Sequence, residues 1–148
     1  MSSLARVISL VALLWALPAA AQPLPSDAPR YVADIELQTS GELKELLERA
    51  NQLLLDGVAE QEGGTTVTFV LHGPVIRDLL RQNYPANREL VNLAASLSAL
   101  QVVDIKVCRT WMGSNAVDEV DLQPFVEPVN LAASEVWRLR QENKYLDF

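Results

Sequence analysis

Residues 66–74 read TVTFVLHGP, and residues 102–110 read VVDIKVCRT. Both runs are short, dense in Val, Ile and Thr, and end where a turn or a helix can begin, which is the composition of strands. Side chains alternate faces along a strand. In the first run Val67, Phe69 and Leu71 form one apolar face, leaving Thr66, Thr68, Val70 and His72 on the other. In the second run Val103, Ile105 and Val107 are the apolar face, leaving Val102, Asp104, Lys106 and Cys108. If the two are parallel neighbours, their greasy faces coincide to build a core, because a slip of one residue would turn every side chain over. His72 and Cys108, each just after the last residue of its predicted strand, then share the mixed face at the same edge of the sheet, on strands about 4.8 Å apart.

Working outward, residues 31–37 (YVADIEL) alternate partially and predict a first strand. Thr39-Ser40-Gly41-Glu42 has the spacing of a capping box, with Thr39 as N-cap and Glu42 at N3. The helix that follows carries Leu43, Leu46, Leu47, Ala50, Leu53 and Leu54 as a single stripe, which lies on a sheet. Asp56-Gly57 ends it, and Glu62-Gly63-Gly64 is a turn. After the second strand, Pro74 suits the first position of a helix over 75–82. A loop (83–87, NYPAN) leads to a helix over 88–100 with Leu90, Leu93, Ala94, Leu97 and Leu100 on one face. Residues 109–122 read as loop plus a short helix. A fourth strand over 125–129 is placed at an edge by Pro124 and Pro128. A last helix over 131–143, with Asn130 as N-cap, precedes a short strand at 145–148. Strands separated by helices imply right-handed crossovers and a mainly parallel sheet, hence an α/β fold. In such open sheets, sites gather at the carboxyl ends of the strands.

The 148 residues suit one domain. The first 21 read as a secretory signal: Arg6 is the positive region, 7–17 an uncharged apolar run, and Pro18 precedes Ala19-Ala20-Ala21. That run is too short to span a bilayer. Residues 22–29 (QPLPSDAP) form a Pro-rich leader, and 30–148 form the domain. Periplasmic localisation follows as the expectation, with no membrane anchoring once the signal is cleaved. A net charge of −7 speaks against nucleic-acid binding, which needs clustered Lys and Arg. One Cys excludes an internal disulfide and a multi-cysteine zinc site, and the single His has no spaced ligand cluster, so no metal is expected. Neither a Gly-x-Gly-x-x-Gly pattern nor a Walker pattern occurs, so no nucleotide or other organic cofactor is called for.

Chemistry therefore narrows to Cys108 and His72. A thiol between a strand and a helix feels the helix N-terminal partial charge. Lys106, on the same face, and the adjacent Arg109 are candidates to stabilise a thiolate, the reactive form. Trp111, with Met112, is a candidate wall over the sulfur. Each residue also has a structural reading. Cys108 serves equally as a small buried hydrophobe, and His72 as a turn residue bonding local backbone. The polar positions Thr66, Thr68, Asp104 and Lys106 leave a face that helices cover only in part, which predicts a homo-oligomer.

The chain also resembles the DsrE/DsrF-like sulfur-relay family. The resemblance is carried by Val70-Leu71-His72-Gly73-Pro74, the helix 89–100, Asp104-Ile105-Lys106-Val107-Cys108, and Asp121-Leu122-Gln123-Pro124 leading into 125–129. The helix 134–141 and Tyr145-Leu146 complete it. It implies a three-layer α/β/α domain with a parallel sheet of about five strands, assembled into homo-oligomers. It further implies that Cys108 accepts sulfur as a persulfide and passes it between donor and acceptor proteins, with no cofactor. His72 and Gly73 match the family's His-Gly turn. Two other readings stand beside this one: a non-catalytic binding module with a structural cysteine, and a thiol redox partner that forms mixed disulfides.

Overall fold

The computed structural model describes residues 30–57, 67–142 and 145–148. The signal and leader readings, and the turn at Glu62-Gly63-Gly64, lie outside the described residues. Among the described residues five strands form one sheet: β1 (Arg30–Glu36), β2 (Val67–His72), β3 (Val103–Cys108), β4 (Val126–Val129) and β5 (Tyr145–Asp147). Their order is β4-β3-β2-β1-β5, and every described pairing is parallel. The helices are α1 (Ser40–Leu55), α2 (Arg88–Ala99), α3 (Arg109–Ser114) and α4 (Ala132–Glu142). This is the α/β/α architecture expected.

The order explains the layers. From β1 to β4 the chain steps one strand at a time in one direction, so right-handed crossovers stack their helices on one face. The step from β4 back to β5 reverses direction, and α4 packs on the opposite face, over β1, β2 and β5. The larger core lies under α1 and α2. It contains all six apolar-face residues of β2 and β3, packed with Leu43, Leu47 and Leu97. Under α4 a smaller cluster joins Val32, Val70 and Cys108 to Ala132, Val136 and Leu139.

The mixed face is covered within one chain more fully than its polar residues imply. Thr68 is buried, and Lys106 is only 7% exposed. Lys106 Nζ lies 2.6 Å from Glu127, 3.2 Å from Asp104 and 3.8 Å from Glu135 of α4. Burial disfavours its charge, but Glu127 and Asp104 outweigh this and raise its pKa. A polar strand position is here matched by partners from β3, β4 and α4, so it need not mark an uncovered face.

Three local expectations are corrected. Residues 75–82 do not form one helix; two 3-10 segments, Pro74–Leu79 and Arg81–Asn83, take their place. Leu80 interrupts them in extended conformation, because it bridges to Leu122. Asn130 does not cap α4, which starts at Ala132; its side-chain oxygen accepts instead from Arg109. His72 and Cys108 are the last residues of their strands and not the first beyond them. The edge placement of β4 holds, and Pro128 is tolerated there because an edge strand can lose a donor.

The capping box forms as read. Glu42 N–H donates to Thr39 Oγ1 at 3.3 Å, and Thr39 N–H donates to Glu42 Oε2 at 2.9 Å. Replacing Thr39 by Ala is expected to lower stability by about 1 kcal/mol, read from urea unfolding.

Candidate functional site

Burying the greasy faces of β2 and β3 fixes what stands at the rim. Val70 pairs with Lys106 and Leu71 with Val107, so the register carries His72 alongside Cys108. On the other side of β2, Glu36 pairs with His72; beyond β3, Val129 pairs with Cys108. Beyond this level the chain diverges. Met112 of α3 joins the core under α1 and α2, whereas Ala132 of α4 joins the opposite cluster. Divergence of successive connections to opposite faces opens a crevice at the strand ends.

A pocket of about 560 Å³ occupies that crevice. Its lining comes from β1 (Asp34), β2 (His72), β3 and α3 (Cys108, Thr110, Trp111, Ser114), and the start of α4 (Leu131, Ala132, Ala133). Cys108, only 5% exposed, sits with its sulfur between the smaller hydrophobic cluster and the cavity. Its thiol pKa lies below the ordinary value. Burial opposes this, but the backbone N–H groups of Trp111, Ala132 and Thr110, with the Thr110 hydroxyl, favour the anion more strongly. The helix-start environment read from the sequence is thus present, though it is made of individual dipoles from two elements.

His72 is framed by carboxylates. Nε2 lies 3.5 Å from Asp34 Oδ1, and Nδ1 lies 4.0 Å from Glu36 Oε2. Asp34 and Glu36 alternate with Ala33 and Ile35, which face the larger core, so both project to the His72 side of β1. Both carboxylates thus stand by the imidazole, which lines the same pocket as the thiol.

Two walls of the pocket are tied together. Arg109 makes a two-point pair with Glu119, and its Nη1 donates to Asn130 Oδ1 at 3.0 Å. Thr110 Oγ1 donates to the Asn130 carbonyl at 3.0 Å. These bonds link the first turn of α3 to the loop before α4. Trp111 is held from outside the pocket: the Arg77 guanidinium lies 5.7 Å from its ring, and Asn115 donates to its carbonyl at 2.8 Å.

Of the residues read from the sequence, Cys108, His72 and Trp111 line one pocket. Lys106, Arg109 and Gly73 do not. Lys106 points into the carboxylate cluster of β3, β4 and α4, and Arg109 is engaged by Glu119 and Asn130. The largest influences favouring the thiolate are instead the backbone N–H groups of Trp111, Ala132 and Thr110 and the Thr110 hydroxyl. Gly73 is a turn residue at φ +102°, where an added Cβ would meet the Leu37 carbonyl at 3.0 Å. The sequence reading missed Asp34, Thr110 and Ser114. An Asp inside a strand, where Asp is disfavoured, was the available signal for Asp34.

No protein-family model matches the chain, and no curated protein matches it. A solved structure of a protein of unknown function from Methanobacterium thermoautotrophicum is similar in fold, with a TM-score of 0.62 at 18% identity. The match covers 81% of this chain and 99% of that one.

Two outcomes are expected here. Gly73→Ala lowers stability by about 1–3 kcal/mol, measured by chemical unfolding, since only glycine adopts that backbone without strain. The rate of Cys108 alkylation climbs with pH as thiolate forms, with its midpoint below that of a free cysteine, about 8.5. In Thr110→Val that midpoint moves upward.

Proposed function

We propose that the protein is a periplasmic, DsrE-like sulfur carrier that holds a persulfide on Cys108. The observation that supports this reading is that a thiol biased toward thiolate and an imidazole flanked by Asp34 line one open pocket. In the proposed step, the Cys108 thiolate attacks the outer sulfur of a donor persulfide, R–S–SH. A Cys108 Sγ–S bond forms, the donor S–S bond breaks, and RS⁻ leaves. His72, when protonated, supplies the proton to that leaving thiolate. An acceptor thiolate then attacks the outer sulfur and frees Cys108. Periplasmic placement rests on the signal pattern of residues 1–21. Assembly as a homo-oligomer is part of the proposal, and Trp137, 67% exposed on α4, is the residue that favours it.

A structural cysteine is the competing reading, favoured by the packing of Cys108 against Val32, Val70 and Val136. Titration of the native thiol separates the two. The carrier reading requires reaction without denaturant, and a mass gain of one sulfur atom after incubation with an organic persulfide, R–S–SH, in excess. The gain is absent in Cys108→Ser. A native protein that gains no sulfur, or an equal gain in the Ser variant, defeats the carrier reading.

A further inference from the structure

The pocket is far larger than an inorganic sulfur species needs. Its volume of about 560 Å³ falls in the range of sites for organic ligands, whereas one water occupies about 30 Å³ of liquid. One wall is apolar: Trp111, Leu131, Ala132 and Ala133. The rest of the lining is polar: Asp34, His72, Thr110 and Ser114.

The charge around this space has a definite sign. Among the described residues no Lys or Arg lines it. The cations on neighbouring elements have partners of their own. Lys106 is paired to Glu127 and Asp104, Arg109 is paired to Glu119, and Arg77 lies against Trp111 and donates to the Asn115 carbonyl. The acids at the site are Asp34, in the lining, and Glu36, at 4.0 Å from the His72 ring. With His72 neutral these two acids leave a double negative charge. With His72 protonated one negative charge remains. The groups facing the pocket therefore keep a negative sign in either state and the thiolate adds to it, while the Arg77 charge, which a ring and a carbonyl do not neutralise, stands behind Trp111. The N–H groups that favour the thiolate are neutral dipoles and do not reverse the field seen by an approaching molecule.

Building on the carrier reading, we infer that the sulfur compound admitted to Cys108 is an organic disulfide or persulfide with an apolar body and an ammonium end, and that Asp34 selects it. The apolar body lies against Trp111 and Leu131, and the ammonium faces Asp34. With a disulfide the exchange is balanced without any further reagent. Cys108 thiolate attacks RS–SR, a Cys108 S–SR bond forms, the original S–S bond breaks, and RS⁻ departs to take a proton from solvent. Small anions such as thiosulfate meet a field of their own sign.

The test uses three aliphatic disulfides of similar size: cystamine (dication), bis(2-hydroxyethyl) disulfide (neutral) and 3,3′-dithiodipropionate (dianion). Mixed-disulfide formation on the full chain is followed by mass, and each rate is divided by that for the urea-unfolded chain, which removes intrinsic reagent differences. The expected order is dication, then neutral, then dianion, with about tenfold or more between the extremes at low salt. Added salt compresses that ratio. Asp34→Asn and Glu36→Gln, each checked for native circular dichroism, both reduce it, Asp34→Asn by more. A ratio near one, or one unchanged in Asp34→Asn, overturns the selection while leaving the carrier reading intact. Failure of the native chain to react with all three, while the unfolded chain does react, overturns both.

Discussion

Everything at the site follows from burying one stripe on each of two neighbouring strands. Val67, Phe69 and Leu71 must face the same core as Val103, Ile105 and Val107, and all six are buried there. Because strand side chains alternate, that requirement leaves Val70, His72, Lys106 and Cys108 no choice of face. It also leaves no choice of level, since parallel pairing in this register brings the ends of β2 and β3 together. The imidazole and the thiol thus line one pocket as a consequence of core packing, 36 residues apart in sequence. A slip of one residue would bury His72 in hydrocarbon and remove the site and the core at once.

The second constraint is topological. Had the chain continued past β4 in the same direction, right-handedness would have kept α4 with α1 and α2. Its return to β5 sends α4 to the bare face and parts the connections that follow β3 and β4. The crevice is that parting, and Arg109, Thr110 and Asn130 hold its two sides at a set distance. The same return brings Glu135 to Lys106, which lets a charged strand position stay buried. Removing one partner from such a buried group is more damaging than replacing the set, because it leaves an uncompensated charge. The cluster is therefore best regarded as part of how α4 is seated on the sheet.

This division explains what was legible from residues alone. Alternation in β2 and β3, the capping box at Thr39 and Glu42, and the prolines of the edge strand are short-range signals, and the elements they predict are present. The shared rim position of His72 and Cys108 was also legible, since it needs only period two and a parallel register. Long-range competition was not. Leu80 leaves the helix predicted across it because Leu122 offers a backbone pairing from another part of the chain. Lys106 and Arg109 were assigned to the thiol by proximity in sequence, but carboxylates on β4, on α4 and at Glu119 claim them. Asp34 shows in the sequence only as an acid inside a strand; the register of β1 against β2 is what sets it 3.5 Å from His72.

The loss of the two cations from the site changes its chemistry more than it weakens it. A thiolate held by Lys or Arg sits in a positive field, which draws any anion and makes the donor's charge a poor discriminator against small inorganic species. Here the anion is favoured by N–H dipoles of Trp111, Ala132 and Thr110, whose influence falls away within a few ångströms. Beyond that range Asp34 and Glu36 set the sign. The sulfur is activated locally while the approach to it stays negative, so reactivity and selectivity are controlled by different groups. Such separation lets an open, partly apolar pocket carry a nucleophile without becoming a general anion trap.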